Sequence, residues 1–166
     1  MEKEVGKRGI SPVVATVLLV AIVIVIALII FLWFRNIGGE TCTKFQGQNI
    51  QLVCSDTEFY ADYNNGDLYI SNTGNVPIFS INVRIDRGGD YETFEITDLS
   101  RPGFSSSWPS LGLNQGGVYT SGNVAADVNG ADSITLTPIL MGSCGSGGEK
   151  SYQCDSGQHG YEIPLF

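Results

Sequence analysis

The sequence predicts an α+β chain: one long N-terminal apolar helix followed by an antiparallel β-sandwich head domain. Three observations predict it. Residues 10–34 form an unbroken run without charge. Beyond residue 36, short stretches alternate apolar and polar residues with period two. Gly, Asn and Pro clusters punctuate those stretches, as turns between strands require. The expected boundaries are a short basic leader at 1–9, a membrane-spanning helix at 10–36 and a β-sandwich at 37–166.

At 166 residues the chain has room for one domain and an appendage. Its formal charge of -8 argues against nucleic-acid binding, which needs a basic surface, so no nucleic-acid partner is expected. The charge is unevenly spread. Residues 1–9 carry Lys3, Lys7 and Arg8 against Glu2 and Glu4. From residue 36 onward, five basic residues face 15 acids, a net of -10.

The run ISPVVATVLLVAIVIVIALIIFLWF has 25 residues, of which 12 are Ile or Val. As a helix it reaches roughly 37 Å, enough to cross a hydrocarbon core of about 30 Å with some tilt. The β-branched residues weaken a helix in water, but in lipid the backbone must satisfy its own hydrogen bonds and helix prevails. Pro12 falls in the first turn, where its missing N–H is harmless. Trp33, Phe34 and Arg35 make an interfacial end. Lys3, Lys7 and Arg8 before the span outweigh Arg35 after it, so the positive-inside rule puts residues 36–166 outside the cell. A buried core helix rarely stays apolar on every face for so long. A secretory signal has a shorter apolar region and a small-x-small site, which WFRNIGGETC lacks. Cys42, preceded by Glu40 and Thr41, lacks the small neighbour of a lipid-anchor cysteine.

The junction Lys7-Arg8-Gly9-Ile10-Ser11-Pro12-Val13-Val14-Ala15, running directly into the apolar helix, resembles the N-terminus of archaeal type IV pilins with a class III signal peptide. The resemblance covers about residues 7–34. It implies that a prepilin peptidase removes residues 1–9 by cutting between Gly9 and Ile10, with Lys7 and Arg8 holding the leader at the anionic cytoplasmic surface. It further implies a homopolymer with a cytoplasmic assembly ATPase and a polytopic membrane platform as partners. The subunit would reside in the membrane as a precursor and then in an extracellular filament, whose service would be surface adhesion. The filament core would comprise Ile10, Pro12, Val13, Val14, Val17, Leu18, Val20, Ile24, Leu28, Phe31 and Phe34. Bacterial-type pilins place Glu where Val14 stands. Archaellins begin with more Gly after the cut, which favours a pilus over a swimming filament. The alternative is a single-span, membrane-anchored extracellular binding module that does not polymerise.

A helix without charge is at home in lipid and equally among copies of itself, so packing must decide between the two. Ala15, Ala21 and Ala27 recur every six residues and drift around the helix, and no GxxxG motif marks a tight pair. The pattern suits a many-neighbour core.

In the head, Leu68 and Ile70, then Ile81, Val83 and Ile85, then Phe94 and Ile96, then Ile134 and Leu136 alternate with polar residues. Asn64-Asn65-Gly66-Asp67 reads as a type I′ hairpin turn, and Ser71-Asn72-Thr73-Gly74 as another turn cluster. The spacing predicts about seven or eight short strands, with 100–117 as a long surface loop. The spacings of Cys42, Cys54, Cys144 and Cys154 do not fit zinc; outside the cell, disulfides are expected. Three pairings are open, and the local one, Cys42–Cys54 with Cys144–Cys154, is favoured.

No catalytic constellation appears. His159 stands alone in a loop-like context, and no G-x-S-x-G is present. Asp127–Asp132 misses EF-hand spacing and reads as a turn. Tyr60, Tyr63, Phe104 and Trp108 read as packing residues more readily than as a binding patch. Neither metal nor cofactor is expected.

Overall fold

The computed structural model describes residues 12–37, 42–44, 47–145 and 147–165, with the side chains of 34–37 left aside. The chain divides into two units, Met1–Glu40 and Thr41–Phe166, each described by itself.

The first unit holds α1, Pro12–Ile37. Its only polar side chain between residues 12 and 33, Thr16, donates to its own helix at Val13 O, 2.9 Å away. The one hydroxyl in this stretch is thereby satisfied without a partner from outside.

The second unit has two antiparallel sheets. The larger contains β1 (Cys42–Lys44), β2 (Gln48–Asn49), β5 (Ser80–Arg87), β6 (Asp90–Glu95), β8 (Ser133–Cys144), β9 (Gly148–Gln153) and β10 (Tyr161–Pro164). The smaller contains β3 (Phe59–Asn64), β4 (Asp67–Asn72) and β7 (Val118–Thr120). Four short helices or turns complete it: α2 (Ile50–Val53), a 3₁₀ turn at Cys54–Asp56, α3 (Pro102–Ser105) and α4 (Ser156–His159). The described residues thus form ten strands, more than the alternation predicts. Strands such as β1, β2 and β7 are two or three residues long, too short to display a period.

The 12-residue strand β8 is the spine of the larger sheet. Along one side it pairs first with β5 and then with β1; along the other, first with β10 and then with β9. Pro138 lies in its middle, where a proline normally breaks a ladder. Its carbonyl faces the β9–β10 side, accepting from Cys154 N at 3.0 Å. Its missing N–H therefore falls in the gap between those two strands, where no ladder donor is called for.

Between the sheets lies the main core. Ile81, Val83, Ile85, Ile134, Leu136, Phe94 and Ile96 come from the larger sheet side, and Ala61, Leu68, Ile70 and Tyr119 from the smaller. The period-two pattern thus delivers its apolar half inward. The turn at Asn65 and Gly66 has φ of 52° and 92°, as a type I′ hairpin requires, and sets the register Asn64↔Asp67. Asn72, fully buried, donates to Val76 O and Leu113 O and accepts from Gly74 N, which fixes the second turn cluster.

Residues 100–117 differ from the surface loop expected. Phe104 on α3 is fully buried, Leu113 nearly so, and Trp108 packs against the same core while its indole N–H donates to Phe79 O at 3.1 Å. Leu113 exchanges backbone hydrogen bonds with Ile78 at 2.7 and 2.9 Å. Gly112, at φ +78°, presses so closely on Ile78 O that a Cβ there would overlap it. The three-stranded sheet is too narrow to cover the core, and this segment completes the cover. An ion-pair group holds it in place: Arg101 bonds Glu92 and, at 3.0 Å, Asp127, and its guanidinium lies 4.3 Å from the Phe94 ring centroid.

Tyr119 carries a testable consequence. Its side chain is buried and its hydroxyl donates to Phe104 O at 2.5 Å. Burial pushes its pKa well above the usual 10. A raised folded-state pKa leaves stability untouched below pH 10 and erodes it as pH climbs from 10 toward the folded value. Unfolding free energies of the wild type, from urea titrations, should therefore fall between pH 10 and 12. Those of Tyr119→Phe should start lower, by about 1 kcal/mol for the lost hydrogen bond, and fall less steeply. Parallel curves would refute the assignment.

Candidate functional site

The expected assembly residues lie on α1. Pro12, Val13, Val14, Val17, Leu18, Val20, Ile24, Leu28 and Phe31 all fall within it and are all exposed. They do not gather on one face: every large apolar side chain from Val13 to Trp33 is 50–69% exposed. Phe34 belongs to the helix, and its side chain is not among those described. Lys7, Arg8, Gly9 and Ile10, the expected peptidase site, lie outside the described residues.

The magnitude of this exposure decides what the helix needs. A buried Val, Leu or Ile side chain gains roughly 1.5–3 kcal/mol over one left in water. Summed along α1, the deficit in water is on the order of tens of kcal/mol, beyond the 5–15 kcal/mol that typically holds a domain together. The helix has the length and composition to cross a membrane.

The cysteines form two disulfides, Cys42–Cys144 and Cys54–Cys154. This corrects the local pairing expected above. Strand β9 runs antiparallel to β8 and ends with Gln153 opposite Ile139, so Cys154 N reaches Pro138 O. Cys144 lies six residues farther along β8, roughly 20 Å away at the rise of a strand. A disulfide tolerates a Cα separation of at most about 7 Å. Cys42 instead stands directly across from Cys144 in register, with Cα atoms 4.1 Å apart. The β1–β2 hairpin and α2 then carry Cys54 to Cys154, 5.8 Å away between Cα atoms. Ile50, Val53, Val76 and Leu140 pack around that second bridge as a smaller core. Such bridges persist in oxidising surroundings and are rare in a reducing cytosol.

The remaining candidates have structural employment. Asp127 pairs with Arg101, and Asp132 accepts from Gly88 N at 2.5 Å, so the 127–132 segment is a turn whose carboxylates are engaged. His159 ends α4, half-exposed. Among the described residues, no three His, Cys, Asp or Glu side chains gather as metal ligands do. Phe104 and Trp108 serve the core, Tyr63 packs at its edge, and Tyr60 is 54% exposed.

One surface escaped the sequence reading. The outer face of the larger sheet carries a groove of about 320 Å³ whose floor includes Asn82, Arg84, Thr135 and Thr137. The signal lies in the polar half of the alternation, which reads as plain solvent-facing residues until the register aligns four strands.

Comparison of the chain with protein-family models, curated proteins and solved structures finds no match.

Proposed function

We propose that the chain is a structural subunit of an extracellular type IV pilus-like filament, polymerising through α1 and displaying its β-sandwich outward. One observation carries the reading: α1 has no charge from Pro12 to Phe34, and its described side chains are exposed around the whole circumference. Such a helix needs an apolar surround on all sides. Lipid supplies that before assembly, and copies of the same helix supply it afterward. Because both surrounds are apolar, the exchange depends on close packing rather than on the hydrophobic effect.

Two further features support the reading. The junction Lys7–Ala15 matches the pattern of archaeal type IV pilins. The head is acidic and disulfide-bonded, as suits a surface exposed to an oxidising exterior, and its net charge keeps neighbouring filaments apart. Processing would be by a prepilin peptidase after Gly9. Assembly would use an ATPase and a membrane platform, and surface adhesion would be the service.

The test is N-terminal sequencing of protein sheared from the cell surface. A chain beginning at Ile10 in the filament fraction is the expected result. Intact Met1, confined to the membrane fraction, would replace this reading with the anchored, non-polymerising module.

A further inference from the structure

We propose that the groove on the outer face of the larger sheet is a binding site for a neutral glycan. Register builds it. Asn82 and Arg84 on β5 stand beside Thr137 and Thr135 on β8, and Thr93 and Tyr91 on β6 lie on the other side. Strand β9 contributes Gln153 at one end, and α4 supplies a wall through Ser156 and Gly157. The volume of about 320 Å³ is at the small end of ligand pockets, suited to one or two sugar rings.

The chemistry selects the class. A pyranose presents hydroxyls that both donate and accept, and one face rich in C–H bonds. The floor offers groups that match. The Asn82 amide donates to Gln153 Oε1 at 3.2 Å, which orients both planar amides and leaves each with further donor and acceptor capacity. Arg84 is held rigid by two hydrogen bonds to Asp86 Oδ1, at 3.0 and 2.6 Å, and by stacking 4.3 Å from the centroid of the Tyr91 ring. Two of its five N–H donors are used on Asp86, and the rest are available to a ligand. Tyr91, on the edge strand, is 61% exposed; Arg84 covers one face of its ring, and the surface left open is a preoriented aromatic plate for the C–H face of a sugar.

Charge excludes the alternatives. The lining contains no carboxylate, in a head whose acids exceed its bases by 10. Its only cation, Arg84, is neutralised by Asp86. Glu95 and Glu162 stand in register beside Asn82 and Thr135, at the margins of this face. An anionic ligand would meet that acidic margin with no unpaired cation to receive it. A neutral ligand that hydrogen-bonds in a plane meets neither penalty. The site belongs to the head alone, so it serves a filament subunit and an anchored module equally.

The test uses the full chain in a detergent without sugar head groups, probed by saturation-transfer NMR and calorimetry with maltotriose, cellotriose and mannotriose. At least one should bind with a millimolar or tighter Kd. Tyr91→Ala and Asn82→Ala should each weaken it at least tenfold, and Thr135→Arg, which fills the floor, should abolish it. Tyr60→Ala, on the other sheet, should leave it unchanged. All four positions face solvent or the sheet exterior, and unchanged far-UV circular dichroism confirms the fold of each variant. The proposal is overturned if none of the three sugars binds. It is equally overturned if the groove variants bind like the wild type, or if oligogalacturonate binds more tightly than the neutral probes.

Discussion

Val23→Glu is expected to remove filaments from the cell surface while leaving the precursor in the membrane. Val23 lies midway along α1 and is 56% exposed. An acidic side chain at the centre of a membrane helix raises the insertion free energy by about 2.5–3.5 kcal/mol, a penalty softened by water and lipid headgroups that reach toward the charge. A dry bundle of helices offers neither relief, and α1 has no cation between Pro12 and Phe34 to pair with it. Each subunit added to a filament would bury another such charge. A penalty of about 3 kcal/mol per subunit lowers the assembly constant more than a hundredfold. Sheared filament protein should therefore fall below a hundredth of wild type, with the membrane pool retained. Val23→Leu, which keeps the apolar surface, should assemble normally. Abundant filaments from Val23→Glu would sink the proposal of a dry helical core.

The second large effect concerns the disulfides. Cys42–Cys144 and Cys54–Cys154 close loops of 102 and 100 residues, and the two loops interleave along the chain. By loop-closure entropy either one alone stabilises the head by about 4.7 kcal/mol. With one in place, the other closes an effective loop of only roughly 20 residues, worth about 3 kcal/mol. Replacing one pair by serine should therefore cost about 3 kcal/mol, and replacing both about 8. That total is comparable to the whole stability of a typical domain. Urea unfolding of the two single-pair variants and the double would measure this. Simple additivity would point to independent local loops instead. Trypsin separates all four cysteines into different peptides, since Lys44, Arg84, Arg87 and Lys150 lie among them. Unreduced peptide mapping therefore reads the pairing directly. The arrangement also bears on the proposed function. A pull transmitted along the chain from α1 reaches Cys42 first, and the bridge hands it to Cys144 on the spine of the larger sheet.

Much of the architecture is legible in residue order because its causes are local. An uncharged run of 25 residues has one stable form in lipid, whatever follows it. The alternation at Ile81–Ile85 and Ile134–Leu136 fixes which half of each strand faces the core, since side chains alternate across a strand. Asn65-Gly66 sets its turn because only such residues accept positive φ at both positions. The candidate site divides along the same line. The apolar helix is visible in composition alone, whereas the outer-face groove is not, because Asn82 and Tyr91 come from one pair of neighbouring strands and Thr135 and Gln153 from another pair far away in the chain.

Sequence by itself therefore determined that this protein has an apolar helix needing a nonaqueous surround, and a β-rich, acidic, cysteine-containing head. Both follow from interactions between near neighbours and solvent. Only the tertiary structure decided which cysteines bond, that Phe104 and Leu113 leave a Gly-rich loop to close the core, and that one proline-bearing strand has four partners. Each of these depends on where distant segments come to rest. Cys154 is beyond the reach of Cys144 because β9 has carried it back beside Pro138, and no spacing in the chain encodes that distance.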